Sequence, residues 1–308
     1  MNALEAIHIH KSYADHVALK DVNVVVPEQS VFGLLGPNGA GKTSLIRIIN
    51  RITGPDTGEI QFFGDSLKPE HVMNIGYLPE ERGLYKKMKV GEQAMYLARL
   101  KGMPKQEAKQ KLKEWFDRLE IGDWWNKKVE ELSKGMAQKI QFVTTVLHEP
   151  KLLILDEPFS GFDPINTAIV RKEILRLRNE GSTIILSTHN MGSVEEICDS
   201  IALINKSEVV LNGTVDDVRK QFDKNEYYIR YEGSAIAFAN SLWTHFELVD
   251  STSDGEEHAC TIKLGEGKRL NDLLNAVTPA VQVLEARPKI PGMNEIFIRA
   301  VEQENVAL

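Results

Sequence analysis

Eight residues near the start of the chain have the types and spacing of a phosphate-binding loop. The segment Gly36-Pro37-Asn38-Gly39-Ala40-Gly41-Lys42-Thr43 matches the pattern G-x-x-x-x-G-K-[ST] and lies between an apolar run and a helix-like stretch that begins at Ser44. Glycines let the backbone turn so that successive N–H groups point at one anion, and the start of a helix adds the positive end of its dipole. The pattern therefore predicts that residues 36–44 hold the phosphates of a nucleotide, with Lys42 at the β- and γ-phosphates and the Thr43 hydroxyl on Mg²⁺. The alternative is a glycine-rich turn that ends in Lys-Thr by chance.

A pair of acidic residues follows a second apolar run. Leu152-Leu153-Ile154-Leu155 is typical of a strand buried in a parallel sheet, and Asp156 and Glu157 come directly after it. A carboxylate at the end of a buried strand needs a cation to offset its lost hydration, so Asp156 is predicted to face the Mg²⁺ beside Thr43. Glu157 is predicted to polarise an attacking water as a general base. The simpler alternative is an acidic pair that begins a solvated loop.

The elements around these residues alternate between strand and helix. Apolar alternation predicts strands at 6–10 and 22–26, ahead of the phosphate-binding loop, and another at 59–63. Helical stretches dominate 90–128, and alternation of strand and helix resumes from 151. Strands connected through helices indicate an α/β sheet that binds ligands at the carboxyl ends of its strands.

The sequence pattern changes again beyond residue 222. Four strand-like and two helical segments follow in the order β-α-β-β-α-β, which predicts a small C-terminal α+β domain with a ferredoxin-like arrangement. The strands are predicted at 226–231, 246–251, 259–264 and 281–288, and the helices at 234–242 and 270–277.

Composition limits the classes of partner. The chain has 308 residues, of which 42% are hydrophobic, enough for one large domain or two smaller ones. Its 37 basic and 44 acidic residues give a net charge of −7, which argues against a nucleic-acid partner because proteins that bind nucleic acids need a basic face.

Two distant cysteines are typical of a reducing cytoplasmic location. The start of the chain lacks a signal-peptide pattern, and no run approaches the ~18 apolar residues that cross a bilayer, so we expect no direct membrane insertion.

Five motifs occur in one order along the chain and together carry a family resemblance. Besides the phosphate-binding loop and the acidic strand end, they are Leu132-Ser133-Lys134-Gly135-Met136-Ala137-Gln138, Ser160-Gly161-Phe162-Asp163 and the single His189 after an apolar strand. Over about residues 4–220 the sequence resembles the nucleotide-binding subunit of an ABC transporter. The segment that ends at residue 297 is similar to the C-terminal extension of the sodium-extrusion and drug-efflux type.

The resemblance implies both a fold and a function. The fold is a P-loop NTPase core with an antiparallel β subdomain and a helical subdomain at about 84–148, all within 1–222, followed by an accessory domain at 223–308. The function is that of an ATP-hydrolysing, Mg²⁺-dependent subunit of an exporter, peripheral on the cytoplasmic face of the membrane. Such subunits form homodimers or heterodimers, and ATP closes the dimer to move a transmembrane permease. The permease is expected to dock between the Glu80 loop and residues 86–100.

Several residues take roles that the resemblance alone implies. Tyr13 would stack on adenine, although it could also be a partly exposed strand residue. Ser133 and Gly135 would bind the γ-phosphate of an ATP held by a second subunit. His189 would hold the γ-phosphate or orient Glu157 and its water, and it joins Lys42 and Glu157 as a predicted catalytic residue.

Asp163 has two interpretations. The resemblance implies that it organises the water and the facing subunit, whereas its place before Pro164 explains it equally well as a helix N-cap.

The sequence departs from the family pattern at two places. Lys134 and Met136 occupy the third and fifth positions of a signature that is normally L-S-G-G-Q, so the chain has a charge with no evident partner. Glu80 stands where a glutamine normally follows Tyr-Leu-Pro. Glu80 is still predicted to approach Mg²⁺, but its charge makes that contact depend on the metal and on pH.

Two other classes of protein share this architecture. A soluble mechanical or regulatory ATPase commonly carries two cassettes or a long coiled coil, and this chain has one cassette and no sustained heptads. A nucleotide-sensing module that barely hydrolyses ATP is disfavoured because Lys42, Asp156, Glu157 and His189 are all present.

Overall fold

The computed structural model describes residues 1–81, 83–242 and 244–306, with side chains as far as residue 302. The chain divides into two compact units: Met1–Val215 with the residues from Phe297 onward, and Asp216–Ile296. The division lies at the start of the helix Val215–Gln221, whereas the sequence placed it directly after that stretch. The terminal residues group with the first unit.

Strands and α-helices follow one another along both units. The strands are β1 (Asn2–Tyr13), β2 (His16–Pro27), β3 (Val31–Leu35), β4 (Thr57–Phe62), β5 (Asp65–Ser66), β6 (Ile75–Leu78), β7 (Leu152–Asp156), β8 (Thr183–Ser187), β9 (Ser200–Asn205), β10 (Glu208–Thr214), β11 (Glu226–Glu232), β12 (Phe246–Asp254), β13 (Glu257–Leu264) and β14 (Gln282–Pro288). The α-helices are α1 (Lys42–Ile49), α2 (Val90–Leu100), α3 (Lys105–Arg118), α4 (Lys134–Val146), α5 (Pro164–Asn179), α6 (Met191–Ile197), α7 (Val215–Gln221), α8 (Ala235–Ser241), α9 (Leu270–Val277) and α10 (Met293–Val306). Short 3₁₀ helices lie at Pro69–Asn74, Gly122–Trp124 and Val129–Glu131. Within the described chain, none of the helices combines the length and the apolar character that a membrane span requires.

A largely parallel sheet forms the centre of the first unit. Its strand order is β10-β9-β3-β8-β7-β6, in which only β10 pairs antiparallel among the described strands. Every residue of β3, β7 and β8 is buried, as expected for parallel strands covered on both faces. The carboxyl ends of these three strands meet at one edge of the sheet. The phosphate-binding loop, the acidic pair and the segment that contains His189 all start from that edge.

An antiparallel sheet of order β2-β1-β4-β5 covers α1. Along β2, Val22, Val24 and Val26 are buried while the residues between them are exposed, the period-two pattern predicted from the sequence. These valines share one hydrophobic core with Leu45 and Ile46 of α1 and with side chains of β3. The core thereby fixes α1, whose first turn completes the phosphate-binding loop.

The helices α2, α3 and α4 form the predicted helical region. The buried residues of α3 are the apolar ones whose spacing predicted it, which confirms the helix: they are Ala108, Leu112, Trp115 and Phe116, followed by Leu119. Trp115 packs edge-on against Phe142 of α4, with ring centroids 6.0 Å apart. This ring contact joins α3 to α4.

The second unit is a small α+β domain. Its sheet has the order β12-β13-β11-β14 with all neighbouring strands antiparallel. Counted along this unit, the order is second, third, first and fourth, which is the ferredoxin-like arrangement predicted from the β-α-β-β-α-β pattern. Its own core contains Ile229 of β11, Phe238 of α8, Ile262 of β13 and Leu273 of α9.

Candidate nucleotide-binding site

The phosphate-binding loop leaves β3 and packs against two backbones. Gly36 has φ = +147° and Gly41 has φ = +118°, conformations that side chains rarely tolerate. A Cβ on Gly36 would lie 2.1 Å from the carbonyl oxygen of Ile204, and one on Gly41 would lie 2.3 Å from that of Ala18. These two glycines let the loop lie directly against β9 and β2.

The turn between β9 and β10 braces the loop, and α1 completes it. The Ser207 N–H donates to the carbonyl oxygen of Ala40 at 3.2 Å. In α1, the Leu45 N–H donates to the carbonyl oxygen of Gly41 at 3.0 Å. The N–H groups of residues 42–44 precede this first intrahelical bond, so they are the donors that the helix offers to an anion.

The side chain of Lys42 lies folded over the loop. Its Nζ donates to the carbonyl oxygens of Gly36 and Pro37, at 2.7 and 3.0 Å. Burial lowers the pKa of Lys42, and the negative charges of Asp156 and Glu157 oppose that shift. The ammonium group therefore lies at the junction of the loop and the acidic strand end.

Asp156 is a buried carboxyl group at the end of β7, with a relative exposure of 6%. Burial raises the pKa of this carboxyl, and the hydroxyl of Ser187 and the charge of Lys42 oppose the rise. In the part of the chain that the structure describes, no cluster of three or more His, Cys, Asp or Glu could hold a metal ion. A metal at Asp156 would need other oxygens, such as the Thr43 hydroxyl in the same cleft and those of a phosphate.

Glu157 is held in a fixed orientation beside Asp156. Its φ of +47° lies in the left-handed region, which is uncommon for a residue with a side chain. The backbone N–H of His189 donates to Oε1 at 2.8 Å, and the hydroxyl of Thr188 donates to Oε2 at 3.1 Å. The Nδ1 atom of the His189 ring lies 2.6 Å from Oε1. The glutamate side chain is 15% exposed and the histidine 78%, so the histidine presents its ring to the cleft while orienting the carboxylate.

These groups line one cleft. Its lining residues are Tyr13, His16, Ala18, Asn38, Gly39, Gly41, Lys42, Thr43, Ser44, Glu80, Asp156, Glu157 and His189. Gly36, Pro37 and Ala40 of the phosphate-binding loop lie outside this lining and support the loop. Two lining residues, His16 and Ala18, were not among the predicted site residues. Their position in the hairpin that contains Tyr13 is the signal that could have indicated them.

Comparison with known proteins identifies the family. A family model described as "ABC transporter" matches residues 19–160. A protein named as an uncharacterised ABC transporter ATP-binding protein, YhaQ of Bacillus subtilis (strain 168), is 48% identical over 223 residues, which are 72% of this chain and 74% of the relative. The chain belongs to the ABC transporter ATP-binding proteins. Members of this family bind ATP, and membership implies ATPase activity.

Other comparisons agree with this assignment and extend it to the C-terminal unit. A model described as "ATP-binding protein DrrA1-3-like, C-terminal domain" matches residues 213–301. The linearmycin resistance ATP-binding protein LnrL of Bacillus subtilis (strain 168) is 32% identical over 218 residues, 70% of each chain. A solved structure titled "Structure of ATP binding subunit of ABC transporter" superposes with a TM-score of 0.67 at 31% identity, covering 71% of this chain and 93% of its own. The predicted resemblance and fold class are thus confirmed.

The ABC signature segment lies outside the lining of the cleft. The Ser133 hydroxyl accepts a hydrogen bond from the Met136 N–H at 3.3 Å and so caps α4. Asp163 caps α5 in the same way, because its Oδ1 accepts from the Asn166 N–H at 2.8 Å. This bond holds the pKa of the Asp163 carboxyl below its usual value. Ser133, Gly135 and Asp163 are therefore placed at helix starts, separate from the predicted residues that the cleft brings together.

The unusual lysine of the signature segment has a defined place. The stem of Lys134 lies across Gly161, where an added Cβ would come within 2.8 Å of the lysine Cδ and Cε atoms. Gly161 has φ = +84°, so both its conformation and its lack of a side chain suit this contact. The stem of the lysine thus links the signature segment to the loop before α5.

Proposed function

We propose that this chain is the Mg²⁺-dependent ATPase subunit of an exporter, in which ATP closes a dimer of such subunits and thereby moves a separate transmembrane permease. The observation that carries the proposal is the cleft itself. It brings the phosphate-binding loop together with Asp156, Glu157 and His189, which come from three strand ends of one sheet. A phosphate cradle beside an oriented carboxylate is the arrangement that hydrolysis of a phosphoanhydride requires.

ATP would bind along the cleft from Tyr13 to the phosphate-binding loop. The N–H groups of residues 42–44 and the ammonium group of Lys42 would hold the phosphates. Tyr13 is 40% exposed, and the Nζ atom of Lys11 lies 5.4 Å from its ring centroid. An exposed aromatic face at this end of the cleft suits stacking on adenine.

The oxygen donors of the cleft fit a magnesium ion. Mg²⁺ in nucleotide sites is bound by one or two protein oxygens together with phosphate oxygens and waters. The Thr43 hydroxyl and the Asp156 carboxylate supply such oxygens, and burial of Asp156, which raises the pKa of its carboxyl, favours a cation beside it. Glu80 lines the same cleft and could add a third oxygen. The ion would neutralise negative charge on the phosphates during hydrolysis.

Glu157 would act as the general base. A water attacks the γ-phosphorus, the bond to the β–γ bridging oxygen breaks, ADP leaves with that electron pair, and Glu157 takes the proton of the water. The carboxylate is held by the His189 N–H and the Thr188 hydroxyl, so it needs no reorientation before it accepts the proton. The exposed ring of His189 would contact the γ-phosphate.

The signature segment would complete the site of a second subunit. Ser133 and Gly135 line no part of their own cleft, yet they start a helix whose N-terminus suits a γ-phosphate. We expect Ser133→Arg to abolish most hydrolysis while the ATP affinity of the monomer stays within about two-fold. Filter binding and phosphate release measure the two quantities. An unchanged rate of hydrolysis would refute the arrangement across two subunits.

The permease would dock on an apolar groove between the Glu80 loop and α2. The groove is lined by Met73, Tyr77, Pro79, Gly83, Leu84, Leu97, Leu100, Lys101, Gln141, Thr144, Thr145 and His148. Leu100 is 59% exposed, and Tyr85 beside the groove is 54% exposed. Exposed large apolar side chains around a groove mark an interaction site. Export is proposed because the relative LnrL is named for resistance to linearmycin.

Purification from native membranes tests the coupling to a permease. A tagged chain with Glu157→Gln, loaded with ATP, should retain an integral membrane protein in stoichiometric amount. Adding Leu100→Glu in the groove should release that protein. The matched control is Leu248→Glu on β12, because this leucine is 43% exposed in the other unit. Retention of ribosomes or of no membrane protein by the Glu157→Gln chain would overturn the transport function in favour of a mechanical ATPase.

A further inference from the structure

Two buried glutamines of α4 form hydrogen bonds to loops outside their helix. The Nε2 atom of Gln138 donates to the carbonyl oxygen of Pro158 at 3.3 Å, and the Nε2 atom of Gln141 donates to that of Pro79 at 3.3 Å. The glutamines are 3% and 5% exposed. Being three residues apart, they lie on one face of the helix. One helix face is thus bonded to two separate loops.

These two loops carry the carboxylates at the ends of the cleft. Pro158 directly follows Glu157, and Pro79 directly precedes Glu80. A proline has no N–H, so its carbonyl oxygen is the only backbone group through which it can be hydrogen-bonded. Each glutamine amide therefore donates a hydrogen bond to the backbone of a residue that is adjacent in sequence to Glu157 or to Glu80.

Gln141 also has a feature that stability alone would not favour. Its Oε1 atom is buried, and no hydrogen-bond partner is present for it among the described residues. An unsatisfied buried acceptor costs free energy that an apolar side chain of the same shape would avoid. A glutamine at this position is consequently better explained by the bond that its amide donates than by packing.

We propose that Gln138 and Gln141 are positioning residues, through which α4 links the signature segment to the loops that contain Glu157 and Glu80. This proposal rests on the proposed ATPase function. The helix starts at Ser133, where the second subunit's nucleotide would bind, and runs past both proline carbonyls. Movement of the helix start would then shift Glu157 and Glu80 together, so that hydrolysis depends on contact with the second nucleotide.

Gln141→Met and Gln138→Met test the proposal, since methionine keeps the shape but donates no hydrogen bond. Each should lower kcat for ATP about five-fold, which corresponds to the ~1 kcal/mol of a typical hydrogen bond, with KM unchanged within two-fold. The two side chains are neighbours on one helix face, so their effects need not add, and the double variant should lower kcat between about five-fold and 25-fold. Gln141→Leu, which removes the same donor with a branched side chain, is measured beside them together with the melting temperature of every variant.

The matched control is Ser182→Ala. The Ser182 hydroxyl donates to the carbonyl oxygen of Pro150 at 3.0 Å, so the control also removes a side-chain bond to a proline carbonyl, but at the amino ends of β7 and β8. It should leave kcat within two-fold of the wild type. A kcat that stays at the wild-type value in the glutamine variants, or that falls equally in the control, overturns the proposal. Absence of hydrolysis by the wild-type chain would instead refute the proposed function on which it rests.

Discussion

Replacing Glu157 by glutamine removes the base while keeping the shape of the site. In the folded chain, Oε1 accepts from the His189 N–H at 2.8 Å, and Oε2 accepts from the Thr188 hydroxyl at 3.1 Å. A glutamine can place its oxygen at the Oε1 position and its NH₂ group at the Oε2 position, because a hydroxyl can also accept a hydrogen bond. The buried Thr188 hydroxyl then accepts instead of donating and its own proton loses its acceptor, so we expect the free energy of unfolding to fall by about 1 kcal/mol.

The effect on catalysis should be much larger. An amide cannot take the proton of the attacking water, and a positioned general base contributes about 10²–10⁴ in rate. We therefore expect kcat of Glu157→Gln to fall by about that factor, equivalent to ~3–5 kcal/mol of transition-state stabilisation. ATP binding should persist, because Lys42 and the N–H groups of residues 42–44 are untouched. A closed dimer should then accumulate with ATP.

Three measurements separate these outcomes. Steady-state phosphate release gives kcat, and equilibrium dialysis with labelled ATP gives the affinity of the same preparation. Size-exclusion chromatography with and without ATP reports the dimer. A kcat within ten-fold of the wild type, with normal ATP affinity, would refute the assignment of Glu157 as base. Loss of ATP affinity together with kcat would show that this side chain is needed to bind ATP.

Three further predictions concern the loop and the fold. Lys42→Ala should weaken ATP binding about 10- to 100-fold, since it removes a charge-assisted contact to phosphate, and isothermal titration measures the change. An unchanged Kd would contradict the phosphate-cradle assignment. Gly41→Ala should lower the free energy of unfolding by about 2 kcal/mol or more, because its Cβ would lie 2.3 Å from the carbonyl oxygen of Ala18 at φ = +118°; urea unfolding checks this value. Burial lowers the pKa of His148 from 6.5 to about 4. As pH falls from 6.5 towards 4, a proton binds His148 in the unfolded chain but not in the folded chain, so the free energy of unfolding decreases. Between pH 7 and pH 5 the free energy of unfolding should fall by about 2 kcal/mol more in the wild type than in His148→Gln. Parallel plots of this free energy against pH for the two proteins would contradict the prediction.

Local patterns predicted the parts of the site that are continuous in sequence. The spacing of glycines before Lys42 predicted a turn that leads into a helix, and φ values above +100° at Gly36 and Gly41 explain why those positions need glycine. The apolar run before Asp156 predicted a strand with a carboxyl group at its end, and β7 is that strand. Such patterns are readable because each depends on neighbours a few residues away along the chain.

Local patterns did not predict the contacts between segments that are distant in sequence. The sequence left the charge of Lys134 without a partner, and in the structure the stem of this lysine packs on Gly161, 27 residues further along the chain. His16 and Ala18 line the cleft because the antiparallel sheet lies over the phosphate-binding loop, and the sequence did not predict this. Gln138 was seen only as part of a motif, and its bond to Pro158 became visible with the fold.

The amino-acid sequence by itself determined which groups can bind phosphate and take a proton, since residue types and short spacings settle that chemistry. It also determined the order of strands and helices in the C-terminal unit, because periodicity records which face of each element is buried. The tertiary structure decided how the groups meet. The sheet order places β7 and β8 side by side, so that Glu157 reaches the Thr188 hydroxyl and the His189 N–H, more than thirty residues further along the chain. Strand pairing and core packing are set by contacts between distant segments, and no local pattern encodes them.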